Sequence, residues 1–63
     1  MTPDPELSSL TTALAEMTRR VTQLAERWVG TDADALAQGL YEVERTLNEA
    51  LRRLDRISRT TSP

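Results

Sequence analysis

The chain predicts an all-α fold, an antiparallel helical hairpin with a heptad seam that dimerises into a four-helix bundle. Three observations carry that reading. Leu7, Leu10, Leu14, Met17, Val21, Leu24 and Trp28 recur at alternating spacings of three and four, which places them along one seam of an α-helix. Ala33, Leu36, Leu40, Val43, Leu47, Ala50, Leu54 and Ile57 repeat the pattern. Between the two runs, Val29-Gly30-Thr31-Asp32 interrupts it. Folding at this break pairs Trp28 with Leu36, Leu24 with Leu40, Val21 with Val43, and Met17 with Leu47. The same register continues through Leu14 with Ala50 and Leu10 with Leu54 to Leu7 with Ile57.

The first helix is expected over about residues 5–29. Asp4 is a good N-cap, Pro5 suits the first helical position, and Glu6 complements the positive helix end. Gly30 can adopt the left-handed conformation that closes a helix, so the turn falls at 30–31. Thr31 or Asp32 caps the second helix, with Asp34 as a short version of the capping-box acid. That helix is expected over about 32–59, followed by a frayed tail at 60–63. The whole of 1–63 reads as one domain. Gly39 stands inside the second helix, where glycine costs about 1 kcal/mol relative to alanine. Its two readings are a close approach by the first helix or a partner, and a tolerated blemish.

At 63 residues, with no cysteine and no histidine, the chain has neither a disulfide nor the usual zinc ligands to staple a small core. Oligomerisation is the remaining staple. No apolar run approaches the ~20 residues of a membrane span. The N-terminal stretch lacks the basic and apolar regions of a secretory signal, so the expected compartment is the cytoplasm and no membrane contact is expected. Net charge is −2 but unevenly spread: residues 1–44 hold three Arg against eight acids, and residues 45–63 hold five Arg against two. Every basic residue is Arg, a bias that suggests a GC-rich genome.

A second row of the first helix, Thr11, Ala15, Thr18, Thr22, Ala25 and Val29, is small and uncharged. Its counterpart on the second helix is Ala37, Tyr41, Glu44, Asn48, Leu51, Asp55 and Ser58, apolar at Ala37, Tyr41 and Leu51. A smooth row lets another helix approach closely, so Thr11, Ala15, Thr18, Thr22, Ala25, Val29, Tyr41 and Leu51 are expected to join two hairpins.

Catalysis has little to stand on. The serines lie near helix ends with no His or Lys to activate them, and Asp32/Asp34 and Glu42/Glu44 are two apart, a spacing that does not face on a helix. No catalytic, metal or cofactor site is expected, and the chain reads as no enzyme. Arg45, Arg52, Arg56 and Arg59 line one outer face. Glu49 and Asp55 stand where they can pair with these arginines at helical spacing; the functional reading is a face for an acidic protein partner. Nucleic acid is excluded as a partner by the net acidity and the lack of interleaved aromatics.

Trp28-Val29-Gly30, set between two amphipathic helices, resembles the Trp-x-Gly turn of the ESAT-like helical hairpins of type VII secretion. The apolar spacing before it (Leu24, Val21, Leu14, Leu10, Leu7) and after it (Ala35, Leu36, Val43, Leu54) is also similar. The resemblance spans roughly residues 7–58. It implies a hairpin turn at Trp28 and Gly30, pairing with itself or a related hairpin, actinobacterial affinity, and export as the alternative to a cytoplasmic location. The family's Tyr-x-x-x-Asp/Glu export signal is not matched, since Tyr41 lies within the helix and is followed four residues on by Arg45. Glu6-Leu7-x-x-Leu10-x-x-Ala13-Leu14-Ala15 resembles the opening of helical docking segments of polyketide synthases. A docking or antisigma-like regulatory hairpin is therefore the alternative function.

Overall fold

In the computed structural model, which describes residues 4–61, two helices pack side by side as a hairpin. Helix α1 spans Pro5–Trp28 and helix α2 spans Asp34–Thr61; no strand occurs among the described residues. The molecule measures 51 × 15 × 10 Å with a radius of gyration of 14.8 Å. A compact chain of this length would have about 10.6 Å. The hairpin is one layer thick.

The start of α1 is as the sequence dictates. Asp4 is the N-cap, its carboxylate accepting from the backbone N–H of Glu6 at 2.9 Å and Leu7 at 3.4 Å, and Pro5 opens the helix. At the other end Val29 has φ −61° and ψ 132°, and Gly30 has φ +77°. With the Thr31 N–H bonded to the Trp28 carbonyl at 3.2 Å, these angles are those of a type II turn, whose third residue needs positive φ. Helix α1 thus ends at Trp28, and Gly30 serves the turn.

The turn is longer than expected, and α2 begins at Asp34, because Thr31 and Asp34 are used to close it. The Thr31 hydroxyl accepts from the Ala33 N–H at 3.1 Å, and the Asp34 carboxylate reaches back to the Gly30 N–H at 2.9 Å. This is the reciprocal logic of a capping box, displaced one residue towards the N-terminus. At its far end α2 runs through Thr60 and Thr61, which were expected in the frayed tail. Residues 62–63, the rest of that tail, and residues 1–3 lie outside the described residues.

The seam between the helices differs from the expected one in a regular way. The residues of α1 turned inward are Leu7, Thr11, Leu14, Thr18, Val21, Ala25 and Trp28; facing them are Ala33 of the turn and Ala37, Leu40, Glu44, Leu47, Leu51, Leu54 and Ser58 of α2. Both rows keep the three-four spacing. Among the described residues only Ala25 and Ala37, each 0% exposed, and Thr18, 7% exposed, are buried, and no large side chain is fully buried. Of the expected seam, Leu10, Met17 and Leu24 on α1 and Leu36, Val43 and Ile57 on α2 are exposed. In each expected pair but Leu14 with Ala50, one member therefore faces away from the other helix.

Candidate functional site

Small side chains occupy the buried positions of the inner seam, Thr18, Ala25 and Ala37, and the polar groups of its threonines are satisfied locally. The hydroxyls of Thr11 and Thr18 donate to the carbonyls of Leu7 and Leu14, at 3.0 and 2.7 Å. Such bonds let a threonine enter a helix contact without an unpartnered hydroxyl. The Thr22 hydroxyl lies 3.1 Å from the Thr18 carbonyl and also contacts the Glu44 carboxylate of α2. A hydroxyl has one proton, and the charged carboxylate is the stronger acceptor. Among the described residues no buried side-chain polar atom lacks a partner.

Part of the small row expected to join two hairpins is instead used within one. Thr18 and Ala25 are buried against the chain's own second helix, and Thr11 and Thr22 are half-buried there. Tyr41 and Leu51 are half-buried as well, while Ala15 and Val29 are exposed. At Thr18 and Ala25 the helix that covers the row is α2. The sequence signal for this is Ala37, small like Ala25 and on the other helix, since small residues let two helices approach closely.

The large apolar side chains form a second face. On each helix, the row of large residues is centred about 60° from the buried row, counted at 100° per residue. The displacement has the same sense on both helices. Because α1 and α2 run antiparallel, that common sense brings both rows to one side of the hairpin. Leu10, Met17 and Leu24 thus lie beside Leu36, Val43 and Ile57 across the half-buried Leu14, Val21, Leu40 and Leu47. Met17, Val21 and Leu24 line a shallow depression whose walls are Arg20, Gln23 and Arg27. The face is apolar at its centre and charged at its edges.

The arginine face is built differently. Arg52 meets Glu49 at 3.5 Å and Arg59 meets Asp55 at 2.7 Å, both pairs exposed and within one helix. Arg52, Arg56 and Arg59 surround Asp55 in a shallow surface dip, and Arg45 is exposed nearer the hairpin tip. On α1, Arg19 pairs with Glu16 and holds its carboxyl below its ordinary pKa; the carboxylate in turn raises that of Arg19. Exposed pairs of this kind contribute little to stability.

Among the described residues, no group of three or more His, Cys, Asp or Glu is placed to hold a metal ion. No helix among them is long and apolar enough to cross a membrane. In comparisons with known proteins the chain matches no family model, no curated protein and no solved structure.

Proposed function

We propose that the protein is non-catalytic and acts by protein–protein association, its apolar face receiving a second helical hairpin, its own copy or a related one, to complete a four-helix bundle. One observation carries this reading: six large apolar residues stand exposed on one side of a hairpin that fully buries no large side chain. Ordering each residue costs about 1–2 kcal/mol of backbone entropy, and a seam of Ala, Thr and half-buried Leu cannot offset that over 58 residues. The exposed surface agrees. It amounts to 4923 Å², whereas a compact monomer of 7.1 kDa exposes about 4,100 Å². The excess is close to the ~800 Å² that each partner buries in a standard interface.

The direction of the seams supports the same reading. In a two-stranded coiled coil the large side chains point at the partner helix. In a four-helix bundle they point at the bundle axis, between two neighbours. The offset of about 60° is the second arrangement. The ESAT-like reading is the specific form of this proposal, with Trp28 and Gly30 at the turn.

Sedimentation equilibrium and circular dichroism on one dilution series test it. Mass and helicity are expected to fall together as the protein is diluted. A fully helical monomer at micromolar concentration overturns it.

A further inference from the structure

We infer that the occupant of the apolar face is a second copy of this chain, lying with its hairpin tip at the same end, so that α1 of each copy packs along α2 of the other. The inference rests on the association proposed above and adds the partner and its direction. The charges along the two edges of the face carry it.

The turn sets the end of α1, Trp28, and the start of α2, Asp34, at about one level, and so Ala25 at about the level of Ala37. Residues equally far before Ala25 and after Ala37 stand at the same height. The Thr22–Glu44 contact fits this register, since the Glu44 side chain leans towards the start of its helix and so towards the tip. Five residues before Ala25 is Arg20; five after Ala37 is Glu42. Nineteen before is Glu6; nineteen after is Arg56. All four are exposed. At 100° per residue Arg20 and Glu42 border the apolar face, whereas Arg56 stands about 130° from the centre of the exposed α2 row. From the tip downward, the α1 edge reads positive at Arg27 and Arg20 and negative at Glu6, and the α2 edge reads negative at Glu42 and Glu49.

Within one hairpin these edges lie on opposite sides and cannot meet. A two-fold axis along the bundle brings them together at matching height, with Arg20 beside the partner's Glu42. Symmetry makes the contact twice. The opposite arrangement, tip against open end, sets α2 along α2 and brings Glu42 of each copy against Glu49 of the other. Like charges placed so are repulsive. Gly39 adds an independent mark. It lies on the α2 edge of the face, and a Cβ there would meet nothing within 4 Å, so nothing within the hairpin accounts for a residue that costs helix stability.

The chain has no cysteine, so Asp32→Cys in the turn accepts a single spin label. Pulsed dipolar spectroscopy is expected to give a label separation under about 25 Å, the width of a four-helix bundle built from helices about 10 Å across. A separation near 36 Å or more, the length of α1 at 1.5 Å per residue, overturns the shared direction while leaving association intact. A monomeric mass on the same labelled samples overturns both. Charge exchange checks the contacts themselves. Arg20→Glu and Glu42→Arg are each expected to loosen the dimer several-fold, and the double exchange to restore the dissociation constant. Additive weakening in the double variant overturns the pairing.

Discussion

The inner seam and the apolar face are built from the same helices and have opposite chemistry. The inner seam buries Thr18, Ala25 and Ala37 and is crossed by a hydroxyl–carboxylate contact at Thr22 and Glu44. The apolar face displays Leu10, Met17, Leu24, Leu36, Val43 and Ile57. A hairpin selected to stand alone would bury large side chains fully on its inner seam, where burying a Leu or Met contributes about 1.5–3 kcal/mol and an Ala far less, yet the leucines there are only half-buried. The inner seam sets distance and register, through small residues that permit close contact. The apolar face holds the greater store of hydrophobic free energy, released when something covers it.

The largest expected effect comes from crowding the inner seam. Thr18→Arg puts a long cation at a position buried against helix α2. Burying an unpaired charge and forcing the helices apart should cost on the order of 3–5 kcal/mol, enough to abolish the hairpin at any accessible concentration. Loss of helicity by circular dichroism is the measurement. If Thr18→Arg stays helical and only its mass falls, Thr18 faces another hairpin and the two regions have been assigned the wrong way round.

Next is Met17→Asp, the neighbouring residue of α1 but on the apolar face. It removes about 2 kcal/mol of burial from each copy and places two carboxylates in the assembled core. Mass should fall to that of a monomer, with helicity falling as a consequence; high protein concentration should recover part of it. Recovery of helicity on concentration is what distinguishes Met17→Asp from Thr18→Arg. Full helicity and full mass in Met17→Asp would mean the apolar face is not a contact.

Trp28→Ala is expected to be milder. Trp28 is half-buried, so its loss should cost about 1–3 kcal/mol, below the 3–5 typical of fully buried aromatics. The readout is the midpoint of chemical unfolding.

These contrasts also show what the sequence could convey. The helices, their polarity and the turn were legible, because Asp4, Pro5 and Gly30 act through local backbone geometry that needs no tertiary partner. The heptad rows were legible too, and all their residues but Ala50 lie on the inner seam or the apolar face. What periodicity could not convey was rotation. A run of three-four spacings marks an apolar arc that can point at one neighbour or between two, and the rule that large residues pair inward fixes the first choice. The exposed Leu36 and buried Ala37 show the second. The start of α2 was misplaced by two residues for a related reason: Asp34 spends its carboxylate on Gly30 across the turn, and that return path depends on the turn already being formed.

Gly39→Ala gives the smallest expected effect and the finest test of the comparison. In the hairpin alone, the added methyl meets nothing within 4 Å, and alanine is a better helix former by about 1 kcal/mol. A solvent-facing Gly39 therefore predicts stabilisation of that size, a rise of several degrees in unfolding midpoint for so short a chain. An edge against the α1 helix of a second copy predicts otherwise. There the missing Cβ is what lets the backbones approach, and restoring it pushes the hairpins apart along the Arg20–Glu42 side. Helix propensity and interface crowding then oppose each other, and the midpoint should move little or fall. The two effects separate with concentration. Propensity acts on the chain at every concentration, whereas crowding acts only where copies meet. Thermal unfolding at two concentrations a hundredfold apart should show Gly39→Ala losing ground to the parent protein as concentration rises. A constant gain at both concentrations would place the edge of α2 in water and leave the partner resting on the centre of the face alone.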